Sequence, residues 1–164
     1  MPKLEMYYDY ACPYCKKGYE ILLSVLEKHP QVEVDWYPCE AHPRPEVWHI
    51  YSDLPAAGFY VAQDLKGDLS EYHKRMYQAA CIDKLDIQDV AVLEKIVEGL
   101  LDEKAFGEAL SSGAYLDQVK ENNRVAWEVY GFPAVPSFKW GEHFLPAQYL
   151  VGVTAEGLEE LLAK

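Results

Sequence analysis

The sequence has no apolar run close to the 18 or so residues that a membrane-spanning helix requires. It is also short of positive charge, with 15 Lys and Arg residues against 27 Asp and Glu residues and a formal net charge of −12. Because nucleic acids and anionic membrane surfaces attract basic proteins, neither is expected as the main partner. We find no internal repeat and no low-complexity segment. The 164 residues are therefore expected to form one sizeable core with room for one insertion.

Cysteine is scarce, with four residues in the whole sequence. A chain of this length has enough core to fold without disulfide bonds, so four cysteines do not indicate a disulfide framework. No apolar segment typical of a secretory signal precedes the first predicted strand. Together these two features predict a protein of the reducing cytoplasm.

The first 42 residues predict a strand, a helix and a second strand, which is the pattern of a βαβ unit. Residues 3–8 alternate, with Leu4, Met6 and Tyr8 on one face. Residues 13–28 carry apolar side chains at helical spacing and end before Pro30. Alternation returns over residues 32–37, which predicts the second strand.

The rest of the chain divides into a helical block and a second strand-containing segment. From residue 43 to residue 130 nothing alternates like a strand, and helical spacing recurs over 55–65, 70–81, 86–100, 105–110 and 115–129. Residues 137–140 and 143–145 flank Gly141-Glu142, which predicts a hairpin, and residues 152–164 predict a terminal helix with Thr154 as N-cap. The predicted fold class is α/β. Residues 1–42 and 131–164 are predicted to form one sheet domain, and residues 43–130 an all-helical insertion.

The segment with recognisable chemistry is Cys12-Pro13-Tyr14-Cys15, between the first strand and the first helix. Cys12 is expected at the N-cap and Pro13 at the first helical position, where a missing N–H costs nothing. Free backbone N–H groups and the positive end of the helix dipole stabilise a thiolate, so the pKa of Cys12 is expected below the free value of about 8.5. Cys15 lies one turn further along the helix. We predict an active-site dithiol in which Cys12 attacks a disulfide and Cys15 resolves the mixed disulfide.

Several nearby residues allow more than one interpretation. Tyr10 and Tyr14 flank the cysteines and are predicted to form an exposed apolar rim that meets extended substrates. Asp9 either orients the loop or is a solvated carboxylate at the end of a strand. Cys39 and Cys81 are either buried, inert thiols or a second redox pair. The five histidines form no spaced cluster and are expected at the surface or partly packed.

A zinc site is an alternative role for the first two cysteines. Residues 39–42 (CEAH) contain Cys39 and His42, which together with Cys12 and Cys15 have the composition of a tetrahedral zinc site. However, Cys12 and Cys15 open a helix between core strands, whereas zinc knuckles usually lie on short turns. The ligand spacing therefore argues against a metal, and no metal site is predicted.

Two motifs and the order of the elements together resemble the DsbA-type branch of the thioredoxin superfamily, in particular the group related to FrnE and to 2-hydroxychromene-2-carboxylate isomerases. The motifs are residues 9–15 (DYACPYC) and residues 131–138 (GFPAVPSF), and a long helical insertion follows the second predicted strand. The resemblance covers essentially the whole chain. It implies a thioredoxin-like fold of the DsbA type, with βαβ, a helical insertion and ββα.

The resemblance also implies a cis peptide bond before a proline of residues 131–138, in a loop that faces the dithiol. Pro136 fits this position better than Pro133, because Ser137 and Phe138 follow it directly into the strand. The backbone of Val135 is then expected to pair with an extended substrate. The predicted substrate-binding residues are Pro13, Tyr14, Val135 and Pro136.

The predicted function is that of a thiol–disulfide oxidoreductase acting on protein or small-molecule thiols and disulfides. The Pro-Tyr pair between the cysteines resembles that of glutaredoxins rather than the Pro-His pair of periplasmic DsbA, which favours a cytosolic reductase or isomerase-like role. The alternative is a glutathione-dependent transferase or isomerase of the hydroxychromene or kappa type, which usually has a serine or a single thiol in place of the dithiol. No bound cofactor is expected, and glutathione is a candidate co-substrate. The sequence leaves the oligomeric state open.

Overall fold

A four-stranded mixed sheet holds the two ends of the chain together in the computed structural model, which describes residues 1–164. The strands are β1 (Leu4–Tyr8), β2 (Val34–Pro38), β3 (Ser137–Trp140) and β4 (His143–Leu145), in the order β2-β1-β3-β4. β2 runs parallel to β1, while β3 is antiparallel to both β1 and β4. The predicted hairpin of β3 and β4 is confirmed residue for residue.

Helix α1 (Pro13–Lys28) joins β1 to β2 and has the predicted bounds. It starts where Cys12 is still extended, with Pro13 in the first turn, and it ends just before Pro30. β2 starts two residues later than predicted, because the N–H of Val32 donates to the carbonyl of His29 in the turn after the helix (3.0 Å). β1 is buried on both faces, since Tyr7 stacks on the ring of Tyr37 at 4.8 Å on the face opposite the predicted one.

Five α-helices and two π-helical turns lie between β2 and β3. They are α2 (Asp53–Asp64), α3 (Leu69–Tyr77) with a π-helical turn at Gln78–Ile82, α4 (Val90–Ile96), α5 (Glu103–Ser112), and α6 (Leu116–Asn123) with a π-helical turn at Arg124–Val129. The predicted helix from residue 86 begins only at Val90, because the carboxylate of Asp89 caps it by accepting the N–H of Ala91 at 2.9 Å. The last helix, α7 (Ala155–Leu162), begins after Thr154, whose hydroxyl accepts the N–H of Gly157 as predicted for an N-cap.

The sheet and the helical block share one hydrophobic core. Its 33 buried residues include Met6 and Phe138 from the strands and Tyr72 and Phe106 from the inserted helices. The sheet and the inserted helices thus pack together around this core, and the division into residues 1–42, 43–130 and 131–164 stays a prediction. No helix in the structure is both long enough and apolar enough to span a membrane.

Candidate active site

The dithiol lies at the N-terminus of α1, at the end of β1. Cys12 is the N-cap residue, and its carbonyl accepts the N–H groups of Cys15 and Lys16 at 3.0 and 3.1 Å. Cys12 is partly exposed, whereas Cys15 is fully buried. The structure thus presents one sulfur to a partner and keeps the second beneath it.

The two thiols have opposite pKa shifts. The pKa of Cys12 is lowered below its ordinary value, first by a hydrogen bond from the Cys15 thiol and then by the backbone N–H groups of Cys15 and Tyr14, although burial opposes the shift. Burial raises the pKa of Cys15 well above its ordinary value, and the Cys12 sulfur adds to this shift. Cys12 is therefore the thiol that ionises first, and Cys15 stays protonated as a hydrogen-bond donor.

Asp9 is a buried carboxylate, only 5% exposed, that fixes the loop in front of the dithiol. One oxygen accepts the N–H of Ala11 at 2.8 Å, and the other accepts the N–H of Ala41 at 2.9 Å. Its own N–H donates to the sulfur of Cys15 at 3.4 Å. Of the two interpretations left open for Asp9, the orienting role agrees with these contacts, and the solvated carboxylate is wrong. Burial raises its pKa, while the two backbone hydrogen bonds oppose the shift.

The loop before β3 faces the dithiol. The Val135–Pro136 peptide bond is cis, while the bond before Pro133 is not. The carbonyl oxygen of Val135 lies 3.9 Å from the sulfur of Cys12. Pro136 packs on α1 so closely that a β-carbon at Gly18 would lie 2.7 Å from its Cγ.

A cavity of about 470 Å³ opens at Cys12. Its walls come from the start of α1 (Cys12 and Tyr14), residues 41–43 with Glu46, Trp127, residues 133–135 and residues 148–150. Of the predicted substrate-binding residues, Tyr14 and Val135 line this cavity, whereas Pro13 and Pro136 do not. The walls from residues 41–43, Glu46, Trp127 and residues 148–150 were not predicted, because only the folded chain brings these distant segments to Cys12.

The two tyrosines beside the cysteines have different environments. Tyr14 is 37% exposed at the cavity, as predicted for the rim. The prediction for Tyr10 is wrong: its ring is buried against Tyr72 and Tyr77 of the inserted helix, and its hydroxyl hydrogen-bonds to Nδ1 of His73 at 2.9 Å. Tyr10 therefore belongs to the core that joins the insertion to the dithiol loop.

The histidines were expected at the surface or partly packed, and for His73 this prediction is wrong. His73 is fully enclosed among aromatic rings, including those of Trp36 at 4.4 Å and Phe59 at 5.4 Å between centroids. Burial lowers its pKa to about 3, so the imidazole is neutral in the folded protein. His42 lies instead at the cavity, where its ring stacks on Trp48 and its Nδ1 hydrogen-bonds to Glu46 at 2.8 Å.

Cys39 and Cys81 are both buried free thiols, as the simpler interpretation predicts. The Cys81 thiol donates to the carbonyl of Tyr10 at 3.3 Å, and burial raises its pKa to about 11. A second redox pair stays a prediction. No three His, Cys, Asp or Glu side chains are grouped so that they could hold a metal ion, those of the alternative zinc site included.

The fold and the dithiol geometry agree with the comparison to known proteins. The family model of the DSBA-like thioredoxin domain matches residues 3–153. The chain belongs to this family. The predicted thioredoxin-like fold of the DsbA type is thereby confirmed, and family membership gives the protein a general role in disulfide redox chemistry.

Individual relatives are distant in sequence. The chain is 28% identical over 180 aligned positions to the uncharacterized protein YwbO of Bacillus subtilis (strain 168), covering 87% of this chain and 88% of that protein. Among solved structures, a probable DsbA oxidoreductase from Streptomyces coelicolor superposes with a TM-score of 0.80 at 18% identity, over 99% of this chain and 89% of that one. The cytosolic disulfide reductase DsbM from Pseudomonas aeruginosa, solved with GSH, superposes with a TM-score of 0.71 at 16% identity. The match covers 99% of this chain and 100% of that one. At these identities the structural matches show the fold alone, and membership of the FrnE-related group stays a prediction.

Proposed function

We propose that the protein is a thiol–disulfide oxidoreductase that uses Cys12 as nucleophile and Cys15 as resolving thiol. The observation that supports this most strongly is the pair of opposite pKa shifts at one helix N-terminus. The more accessible sulfur of Cys12 ionises easily, while the buried sulfur of Cys15 stays protonated. A reactive nucleophile with a protected partner is what two-step exchange requires.

The reaction proceeds in two exchanges at the Cys12 sulfur. The Cys12 thiolate attacks one sulfur of a substrate disulfide, the substrate S–S bond breaks, and the other substrate sulfur leaves as a thiolate that takes up a proton. Cys15 then loses its proton and attacks Cys12, which releases the first substrate sulfur and leaves a Cys12–Cys15 disulfide. An external dithiol or monothiol reductant returns the enzyme to its starting state. When the reduction potential of the substrate disulfide is lower than that of the Cys12–Cys15 disulfide, the same steps run in reverse and the substrate thiols are oxidised.

Val135 is the proposed backbone partner of the substrate. Its carbonyl accepts the Cys12 thiol at 3.9 Å, a contact that ends when Cys12 ionises, and its N–H is used in no backbone hydrogen bond of the protein. An extended peptide is proposed to pair with these groups as an added strand. Pro136 holds the loop against α1, so its role is to position Val135 rather than to contact the cavity.

We place this activity in the cytoplasm, in line with the absence of a disulfide framework and the similarity in fold to a cytosolic reductase. A glutathione-dependent transferase or isomerase is the second candidate. The GSH in the DsbM structure supports testing glutathione as a co-substrate, whereas the complete dithiol favours the oxidoreductase.

Reduction of insulin tests the proposal. We expect the wild type to accelerate reduction with dithiothreitol or glutathione as electron donor, and Cys12→Ser to abolish the acceleration. Cys15→Ser is expected to accumulate a mixed disulfide at Cys12, visible by mass spectrometry. A wild type that is inactive with both donors would contradict the proposed function.

A further inference from the structure

We propose that the hydroxyl of Tyr77 donates a hydrogen bond to the Cys15 sulfur when that sulfur ionises to resolve the mixed disulfide. The donor stabilises a thiolate that forms inside the protein, so an inserted helix takes part in the exchange. This inference rests on the proposed oxidoreductase function and concerns its second step.

The hydroxyl of Tyr77 is buried and has no hydrogen-bond partner. Other buried tyrosines around it do have partners. The hydroxyls of Tyr8 and Tyr10 are paired with each other at 3.2 Å, and that of Tyr72, on the same helix as Tyr77, donates to a backbone carbonyl at 2.7 Å. An unpaired hydroxyl in a protein interior costs stability, so its presence at Tyr77 points to a use during the reaction.

Tyr77 lies against the segment that carries Cys15. It is the last residue of α3, and its ring centre is 5.1 Å from that of Tyr10 in the dithiol loop. It is also 5.5 Å from the ring centre of Tyr19, one helical turn after Cys15. A cleft between α1 and α3 has Lys16 and Tyr19 on one side and Tyr77 on the other. Since Tyr10 and Tyr19 stand on either side of Cys15 in the chain, both contacts bring Tyr77 to the buried thiol.

The π-helical turn at Gln78–Ile82 ties Tyr77 to the dithiol loop. It follows Tyr77 directly, and its Cys81 thiol donates to the carbonyl of Tyr10 at 3.3 Å. Turns of this kind are rare and are frequent at functional sites. The end of α3 is therefore fixed to the loop that carries the nucleophile.

The charge of Cys15 acts on the Tyr77 hydroxyl more than that of any other neighbour. Burial raises the pKa of Tyr77 well above its ordinary value, and among the charged groups the Cys15 thiolate raises that pKa most, ahead of Tyr10 and Cys12. The hydroxyl of Tyr77 therefore keeps its proton while Cys15 ionises, as a hydrogen-bond donor must.

The Cys15 thiolate needs such a donor. Before the reaction Cys15 is a neutral thiol, which is a weak acceptor, and it accepts one N–H, that of Asp9 at 3.4 Å. Resolution places a negative charge on this fully buried sulfur, and a buried charge without partners is costly. A hydrogen bond from Tyr77 that is weak to the thiol and strong to the thiolate lowers the barrier without stabilising the starting state equally.

The resolving step is balanced without a further reactant. The S–H bond of Cys15 breaks, and its proton ends on the departing substrate sulfur. The Cys15 sulfur forms a bond to the Cys12 sulfur while the bond between Cys12 and the substrate breaks. Cys15 is oxidised and the substrate sulfur is reduced. Tyr77 keeps its own proton throughout and donates only a hydrogen bond.

A single-turnover reaction with the aromatic disulfide dithiobis(nitrobenzoate) separates the two steps. With equimolar reagent, reduced enzyme releases one coloured nitrothiobenzoate when Cys12 attacks and a second when Cys15 resolves, so stopped-flow absorbance gives both rates. We expect Tyr77→Phe to keep the first rate and to lower the second about tenfold or more, because it loses a hydrogen bond to a charged group. The rise of the second rate with pH should move to higher pH, since the Cys15 thiolate forms less readily.

Tyr72→Phe is the matched control. Tyr72 lies on the same helix and is also fully buried, but its hydroxyl donates to the carbonyl of Pro55 at 2.7 Å. We expect this variant to keep both rates and to lower the melting temperature, because the Pro55 carbonyl loses its donor. Tyr77→Phe should not lower the melting temperature, since it removes a hydroxyl that has no partner.

The outcomes separate the two proposals. If Tyr77→Phe resolves the mixed disulfide with the wild-type rate, or slows both steps and melts at a lower temperature, the role of its hydroxyl in resolution is wrong while the oxidoreductase function stands. If the wild-type enzyme releases no second nitrothiobenzoate, the proposed function itself is wrong.

Discussion

The hydrogen bond between the two active-site thiols is expected to set how readily Cys12 ionises. It is the largest single cause of the lowered pKa of Cys12, ahead of the backbone N–H groups at the start of α1. Removing the donor with Cys15→Ala should therefore raise the pKa of Cys12. A hydrogen bond to a charged group contributes about 1.5–3 kcal/mol, so its loss should lower the acid dissociation constant of Cys12 by about tenfold or more.

The rate of alkylation by iodoacetamide as a function of pH measures this pKa. Only the thiolate reacts, so the rate falls as the pH drops through the pKa of Cys12. Cys39 and Cys81 do not interfere, because both are buried and both have raised pKa values. Cys12→Ser should remove the low-pH titration completely, which assigns it to Cys12.

Cys15→Ser distinguishes the hydrogen bond from other effects of the substitution. Serine keeps an O–H donor at nearly the same place, so Cys15→Ser should raise the pKa of Cys12 less than Cys15→Ala does. If Cys15→Ala titrates as the wild type does, the helix N-terminus alone lowers the pKa. Equal shifts in the two variants would show that altered packing, rather than the hydrogen bond, is responsible.

Two further substitutions test the surroundings of the dithiol. In the unfolded chain the imidazole of His73 takes up a proton below pH 6.5, whereas in the folded chain it stays neutral down to about pH 3. The free energy of unfolding should therefore fall by about 1.4 kcal/mol for each unit by which the pH drops below 6.5. In urea unfolding at pH 7 and pH 5 the wild type should thus lose about 2 kcal/mol more than His73→Phe, and equal losses would show that His73 is protonated in the folded state. Gly18→Ala places a β-carbon 2.7 Å from Pro136 and should lower the free energy of unfolding by about 1–3 kcal/mol together with the rate of insulin reduction. If Gly18→Ala has the free energy of unfolding and the insulin-reduction rate of the wild type, the loop before β3 can shift away from α1 without loss of stability or activity.

Asp9 and Tyr10 show where prediction from the sequence succeeds and where it stops. Both follow β1 directly, and both are buried. A carboxylate just before a helix has backbone N–H groups such as that of Ala11 within reach, so an orienting role for Asp9 could be offered locally as one of two interpretations, whereas its contact with Ala41 is long-range. Nothing local indicates that the ring of Tyr10 turns toward α3, because its partner His73 lies 63 residues away.

The cavity illustrates the same limit. Its wall at the start of α1 follows from the dithiol motif, and the Val135 wall was expected from the resemblance to the family. The remaining walls, at residues 41–43, Glu46, Trp127 and residues 148–150, come from segments that are distant from Cys12 in the chain. The exposed run of residues 149–151 was a usable signal in the sequence, since three large apolar residues follow one another there.

The sequence by itself determined the order of the elements and the position of the dithiol. Alternation, helical spacing and Pro13 in the first turn act over a few residues, so β1, α1 and the hairpin could be predicted almost to the residue. Tertiary structure alone decided that Tyr10 is buried, how completely Cys15 is enclosed and what surrounds Cys12. Burial and desolvation depend on contacts between residues far apart in the chain, and these contacts set the opposite pKa shifts of Cys12 and Cys15.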